Sequence, residues 1–581
     1  MRKKIYILLK IDCVFNIVFL WILLSPWMVS SNSIFPYQFS VILYITLLSL
    51  IFLLYKYSLR KKWVCYIYKN DLVFILCLLY FFLRIKFESL NQENFYKLIS
   101  CGYLYLYFRS FTASQLWLVI STIPLIGLVQ FVYSMNNQAD YYNWNEKLSR
   151  IYGSFFNTSI WGGFFAIILL ISICCILFPK QPKWYKAVCF LLIILWSVII
   201  WYSDARAAWV AVLGGISWLL ISQYGRSNKY LMRYILCGLL LFLPFMYLLY
   251  IYKQPSADGR LLIWNIGMEM WADRPFGGCG IGNFCNSFMN YQASFLPSIP
   301  IEYQYLADET RYAFNEYLQV GIEQGGIGIV LLGGALLLLF IHKQRDKHSL
   351  IERYIIINSS CFFVTIAIWS CFSYPLQNNQ ILVFFILYLA AYNTVSDNWI
   401  IFKFHFRKPC FYLLCVFFIV FDYKSFVYHR NCKKWHTALL MPNLDEAHSS
   451  MEKLYPLLKD TPYFLYSYGV ILNGISSKQA IPILQEANEM YASYYTLIEL
   501  GKAFAIQNDI RQAEMAWTQA ASMVPCRFMP YYEQMKMYVS HGDINKAQKV
   551  ARYILNKQPK INSAKLYEIY DAARRVLSEI K

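Results

Sequence analysis

The sequence predicts an all-α protein in two parts. Residues 1–430 form a polytopic membrane domain of about 12–13 transmembrane helices, and residues 436–581 an α-solenoid of tetratricopeptide-like repeats. Three observations predict this. Hydrophobic residues are 58% of the 581 and charged residues only 15%, with mean hydropathy +0.39, whereas a soluble chain carries about 25% charge. Long apolar runs recur from the N-terminus to about residue 422. The last quarter repeats with a period of 34 residues.

The runs lie near 5–26, 38–55, 71–86, 97–108, 115–134, 160–178, 186–203, 207–223, 234–251, 321–341, 354–371, 380–396 and 409–422. A bilayer takes roughly 20 residues of helix, so the fourth run is short. Met1–Lys4 is basic and an apolar stretch follows without a small-residue cleavage site, which reads as a first transmembrane helix rather than a signal peptide. The loops orient the set. With the N-terminus cytoplasmic, the inner segments hold 22 Lys and Arg and the outer ones 10, although one outer loop is the longest of all. Basic loops stay inside, so an odd helix number leaves the C-terminal domain outside.

Net charge is +20, and residues 1–435 carry +18 of it, from 37 basic against 19 acidic side chains. The tail is nearly neutral, which excludes nucleic acid as its partner. The 16 cysteines fall mostly in apolar runs with no CxxC pair and read as small hydrophobes. Cys279 and Cys285, both in an outer loop, could pair in an oxidising space.

In the tail, Asn508 aligns with Gly542, Ala513 with Ala547, Trp517 with Ala551, Ala520 with Ile554 and Pro525 with Pro559, every offset being 34. Gly474 and Ala480 begin a looser upstream copy. Small residues at helix crossings and a closing proline fit the tetratricopeptide pattern. Stacked helix pairs of this kind bind peptides or partner proteins.

Chemistry belongs to the long outer loops, about 135–159 and 252–315. Arg260, Trp264, Met268 and Trp271 are spaced as one face of a helix. Gly277, Gly278, Gly280 and Gly282 allow a sharp turn or a close backbone approach to a ligand, the plain turn being the commoner case. Arg311, Asn315, Gln319 and Glu323 recur every four residues, which on a helix makes one polar stripe. Such a stripe is the wet face of an interfacial helix or, for Gln319 and Glu323 at depth, the wall of a cavity. Arg206 starts the eighth helix on the outer side. Arg206, Arg260 and Arg311 thus share one face of the membrane, and guanidinium groups grip phosphate oxygens bidentately.

These residues carry a resemblance. RIYGSFFN (Arg150–Asn157), SDARAAW (Ser203–Trp209), the Gly259–Phe284 stretch ending RPFGGCGIGNF, and AFNEYLQVGIEQGGIG (Ala313–Gly328) resemble the O-antigen ligase and O-antigen polymerase superfamily of bacterial envelope glycosyltransferases. The likeness covers about residues 100–400, and the tail resembles that of envelope members from the Bacteroidetes. The resemblance implies a multi-pass protein of the bacterial inner membrane with a periplasmic tail. It implies transfer of a glycan from an undecaprenyl-diphosphate carrier to a glycan, lipid A-core or protein acceptor, with no metal and no cofactor. Arg206 and Arg260 would hold the diphosphate, and Arg311, Asn315 and Glu316 would stand at the reaction centre. Asn157, Gln319, Glu323, Gly280 and Gly282 would line the substrate site.

There is one departure. Ligases of this kind commonly carry His directly before the motif Asn, and here Phe314 occupies that place. None of the seven histidines falls in an outer loop of the membrane part. Glu316, then Glu309 or Asp308, are the local substitutes for a base. The acceptor stays open between ligase, polymerase and protein O-glycosylation. A transporter would show inverted repeats, which the sequence lacks. A membrane-anchored scaffold working through its repeats leaves Arg206 and Arg260 unexplained.

Overall fold

The computed structural model describes residues 63–84, 92–136, 153–155, 157–224, 238, 244–340, 348–396, 400–406 and 408–578. The helices expected at 5–26 and 38–55, the loop 137–152 and half of the run at 234–251 lie outside these residues. Among the described residues the chain is helical apart from one two-stranded antiparallel ribbon, β1 (Trp63–Tyr68) with β2 (Ile400–Phe406).

The membrane-domain helices are α1 (Lys69–Leu83), α2 (Gln92–Arg109), α3 (Ala113–Asn136), α4 (Thr158–Leu177), α5 (Lys183–Tyr202), α6 (Arg206–Tyr224), α7 (Gln254–Asp273), α8 (Asn283–Phe295), α9 (Glu316–Phe340), α10 (Leu350–Ser370) and α11 (Asn379–Val395). Six of them, α3 to α6, α9 and α10, are long and apolar enough to cross a membrane, and α1 and α11 are shorter apolar helices. α4 is apolar all round and sits at the centre, buried along most of its length. Gly163 lets it approach α10, since a Cβ there would lie 1.9 Å from the Trp369 ring. α5 is peripheral, and its Trp184, Phe190, Leu191, Ile194 and Trp201 are exposed, as lipid-facing side chains are. Side-chain caps start the helices where the sequence provides them: Asn157 for α4, the Ser349–Glu352 capping box for α10, Asn378 for α11.

Contacts define two ends of the bundle. At one end Asp71 and Arg109 form a bidentate pair at 2.9 and 3.1 Å, joined by the Tyr105 hydroxyl, Asn393 and Thr394 beside the ribbon. At the other end Asn157 meets Tyr374, Arg84 donates to the Gly278 carbonyl and Lys97 to that of Gln377. Arg109, assigned to one face by charge alternation, and Arg84 and Lys97, assigned to the other, are therefore at opposite ends here.

α12 (Lys408–Leu439) starts beside the ribbon and leads into the tail. Its 32 residues span about 48 Å at 1.5 Å per residue, more than a hydrocarbon core. The tail is α13 (Leu444–Leu458), α14 (Pro462–Asn473), α15 (Ser477–Met490), α16 (Tyr494–Ile506), α17 (Ile510–Met523), α18 (Met529–Ser540), α19 (Ile544–Asn556) and α20 (Ala564–Ser578). The 34-residue spacing is visible in its geometry. Asn508 and Gly542 both take left-handed φ, at 60° and 74°, and the next residues, Asp509 and Asp543, cap α17 and α19. Ala480, Ala513 and Ala547 are all fully buried at the crossings. The tail packs on the 283–311 part of the long loop between α7 and α9, at the same end as Tyr374.

Candidate functional site

The site grows from the start of α4. The Asn157 Oδ1 accepts the backbone N–H groups of Ser159 and Ile160, at 2.8 and 3.3 Å, which leaves its amide to donate to the Tyr374 hydroxyl at 2.8 Å. Tyr374 precedes Pro375 in the short link between α10 and α11. Its ring stacks on Tyr312 at 4.2 Å and meets the edge of Phe314 at 5.2 Å. Burial pushes its hydroxyl up to about 12, against the pull of Arg260 and Asn157, so it is a proton donor at neutral pH.

Arg260 lies over the other side of Phe314, 5.5 Å from the ring centroid. It projects from the second turn of α7. Burial, and then the neighbouring charge of Arg206, push its guanidinium down to about 10, so it remains cationic. Arg206 is the first residue of α6 and donates to the Leu249 carbonyl. Among the described residues Arg260 forms no ion pair, and Asp204, the acid beside Arg206, is taken up by Lys253. Two like charges in a partly desolvated place without a carboxylate for each are an arrangement that an anion would relieve.

Phe314 is strained. It has φ 53°, in the left-handed region that side chains avoid. Ala313 before it is held at both backbone groups: its carbonyl accepts from Trp264 Nε1 at 2.9 Å and its N–H donates to Gln319 Oε1 at 3.3 Å. Gln319 in turn donates to Glu323 at 3.3 Å, and the Glu323 carboxylate faces the backbone N–H groups of Gly282 and Phe284 at the start of α8.

The structure thus corrects the polar stripe. α9 begins at Glu316, because the left-handed turn at Phe314 breaks the register and Asn315 caps the helix, its Oδ1 accepting from Leu318 N at 3.0 Å. Arg311 and Asn315 are not on that helix. Arg311 turns away from Arg206 and Arg260 and lies over the Tyr463 ring of the tail at 5.0 Å. Gln319 and Glu323 are buried, Gln319 holding Ala313 N and Glu323 facing the start of α8. Glu316 is buried: it is 5% exposed and accepts from Leu376 N at 2.8 Å, which fixes the loop carrying Tyr374. Asp308 and Glu309 face the tail. On α7, Met268 is exposed, because the buried side runs through Leu262, Ile266 and Met270. Cys279 and Cys285 are free thiols.

The glycine-rich turn has a definite partner. Gly325 breaks α9 with φ 69° and ψ −169°, which frees carbonyls from the helical ladder. Cys279 N donates to Ile322 O at 2.9 Å and Gly280 N to Glu323 O at 2.8 Å, and Gly326 N returns a bond to Pro275 O at 2.7 Å. Gly280 and Gly282 therefore serve a turn that satisfies the kink, with Gly282 in left-handed conformation at the start of α8.

Tyr374 and Tyr312 were not singled out in the sequence. The signal was a Tyr-Pro in a short outer link, among 49 tyrosines.

Residues 190–333 match the O-antigen ligase family model. The match contains Arg206, Arg260, Phe314 and the kinked part of α9, while Asn157, Tyr374 and the tail lie outside it. It supports a multi-pass, glycosyl-transferring membrane enzyme of the O-antigen ligase superfamily, with a lipid-linked glycan and an acceptor as general partners. No curated protein matches the chain.

Proposed function

We propose that this protein is an inner-membrane glycosyltransferase that moves a glycan from a polyprenyl diphosphate to an acceptor on the periplasmic side. The observation that carries this is the convergence of Arg206 and Arg260, 54 residues apart in sequence, beside Phe314, Tyr374 and Tyr312 at one end of the bundle. The arginines suit a diphosphate, and the aromatic faces suit the pyranose rings attached to it. In transfer an acceptor hydroxyl forms a bond to the anomeric carbon, the bond from that carbon to the diphosphate oxygen breaks, and the acceptor proton is released. Charge develops on the departing diphosphate, where two fixed cations stabilise it. The tail reads as a tetratricopeptide-type solenoid on the same side. A lipid A-core, a growing glycan or a protein hydroxyl all fit as acceptor, and a deletion strain distinguishes them by whether attachment, polymer length or protein glycosylation is lost.

The remaining question is the base. Glu316, Glu309 and Asp308 are each engaged by other groups, so none is poised over the arginines. The expected result for Glu316→Gln, Glu309→Gln and Asp308→Asn in a transfer assay over a pH series is that both limbs of the profile persist and losses stay within about tenfold. A general base contributes about 10²–10⁴. Loss of one limb together with a drop of that size in any variant identifies that carboxylate as the base.

The orientation has its own test. The tail and the arginine site share one end of the bundle, and the Asp71–Arg109 pair lies at the other. A phosphatase fused after Lys581 is expected to be active. An inactive phosphatase with an active cytoplasmic reporter at the same place inverts the topology.

A further inference from the structure

Three connectors of the tail, each 34 residues from the next, donate to backbone carbonyls of the outer loop. Ala492 N bonds to Asn286 O at 3.0 Å, Cys526 Sγ to Ala307 O at 3.6 Å and Lys560 Nζ to Leu306 O at 3.3 Å. Positions 492, 526 and 560 are one position of the repeat, so the solenoid presents a periodic edge and the loop lies along it. Side chains reinforce the contact at the neighbouring positions. Ser493 and Tyr491 donate to the Glu309 carboxylate at 2.8 and 3.2 Å. Arg527 pairs with Asp308 at 2.8 Å and lies over the rings of Tyr494 and Tyr495. The Lys557 ammonium sits among Tyr305 of the loop and Phe528, Tyr531 and Tyr553 of the tail. Gln292 of α8 bridges the two, donating to Asp308 O and to Met523 O at 3.2 and 2.7 Å.

Immediately after this docked stretch the same backbone enters the arginine site. Arg311 still touches Tyr463 of the tail; Tyr312 stacks on Tyr374; Phe314 lies against Arg260. The left-handed Phe314 is a conformation that persists only where its surroundings over-determine it. Ala313 is fixed from the membrane side by Trp264 and Gln319, and the tail fixes the chain four to eight residues before it.

We propose that the tail is a fixed wall of the site: Ser493 and Arg527 are positioning residues that hold segment 304–311 and, through it, seat Tyr312 and Phe314 against Tyr374 and Arg260. The consequence for catalysis rests on the glycosyltransferase reading; the seating of the segment does not.

The test uses the full chain in lipid nanodiscs, with Arg527→Glu, Asp308→Arg and the exchanged pair Asp308→Arg with Arg527→Asp. Arg527→Glu sets a carboxylate against Asp308 and Glu309, and like charges in contact oppose docking. Hydrogen exchange of the 304–314 amides is expected to rise by about fivefold or more in each single variant, with the amides of α4 and α17 unchanged, and to return towards the wild-type rate in the exchanged pair. Those unchanged helices certify that the variants fold. Transfer is expected to fall mainly in kcat, with donor KM within about threefold, and to recover in the exchanged pair. Unchanged exchange in 304–314 overturns the proposal. So does faster exchange with an unaltered kcat, since the tail would then hold the loop without seating the site. A wild-type protein with no transferase activity at all overturns the functional reading, and the exchange data then judge the seating alone.

Discussion

Arg260→Ala is expected to lower transfer by about 10²–10³ in kcat while the protein stays in the membrane at wild-type level, which is the usual cost of removing one donor from a developing charge. Arg206→Ala is expected to do the same. The two side chains reach the site from different helices, α7 and α6, and the charge of Arg206 is felt at Arg260. By itself this proximity is unfavourable, and burial makes it more so. A diphosphate reverses the sign, because each guanidinium then faces an anion in place of a cation. Arg260→Lys keeps the charge and loses the planar fork, so a partial rescue is expected and a full one is not. The measurement is initial rate against donor concentration for the four variants, with membrane abundance as control. Wild-type kcat in Arg260→Ala or in Arg206→Ala removes that residue from the diphosphate assignment. A large loss in both, with an equally large loss in Tyr374→Phe, would instead point to a disturbed pocket, since the Tyr374 hydroxyl is committed to Asn157.

The sequence carried the helical character of the fold and singled out Arg206 and Arg260, which the structure brings together. Apolar runs gave the helices because burial in lipid demands unbroken hydrophobicity, and most described helices lie within a few residues of the runs; α2 is an exception, starting at Gln92 rather than 97. The 34-residue offsets marked residues that are buried or left-handed for the same reason in each copy. Arg206 and Arg260 were legible because charge is rare in an apolar chain and therefore conspicuous. The polar stripe misled. Spacing of four implies one face only if the helix is continuous, and nothing local announces that Phe314 takes a positive φ. That conformation is imposed from outside, by Trp264 and Gln319 on Ala313 and by the cap of Asn315. Glu323 was singled out because polar groups at depth are costly, and Glu316 because it is the carboxylate next to Asn315; the groups that hold them, the start of α8 and Leu376 N, lie on another element or 60 residues away. The tail was read as a binder of other molecules; it also docks on segment 283–311 of its own chain, and no local pattern reveals which loop its edge will meet.

Gly325→Ala is expected to be the most damaging single-methyl change described here, at about 3–5 kcal/mol, by combining a conformation open essentially to glycine alone with a steric clash. At φ 69° and ψ −169° an alanine is strained whatever the space around it. The space is also missing: its Cβ would lie 2.1 Å from the Phe276 carbonyl oxygen and 2.3 Å from the carbon. Both are backbone atoms, so no rotamer change relieves the contact. Relief would require the Pro275–Gly280 turn to lift from α9, and that turn supplies the hydrogen bonds from Cys279 and Gly280 to the carbonyls freed at the kink. In a lipid-embedded helix those carbonyls have no water to replace the lost donors. Gly278→Ala meets the same crossing from the other side, with its Cβ 2.4 Å from the Glu323 carbonyl carbon and φ 66°. The controls lie on the same helix. Gly333 and Gly334 have nothing within 4 Å of an added Cβ, so alanine there is expected to be neutral or slightly stabilising. Membrane abundance and resistance to a periplasmic protease separate the two pairs. Because the turn also carries Gly282 and the start of α8, which receives Glu323 and through it Gln319 and Ala313, any Gly325→Ala protein that does accumulate should transfer poorly as well. Accumulation and protease resistance equal to Gly333→Ala would mean that turn and helix do not cross as described, and the buttress under Phe314 would fall with the crossing.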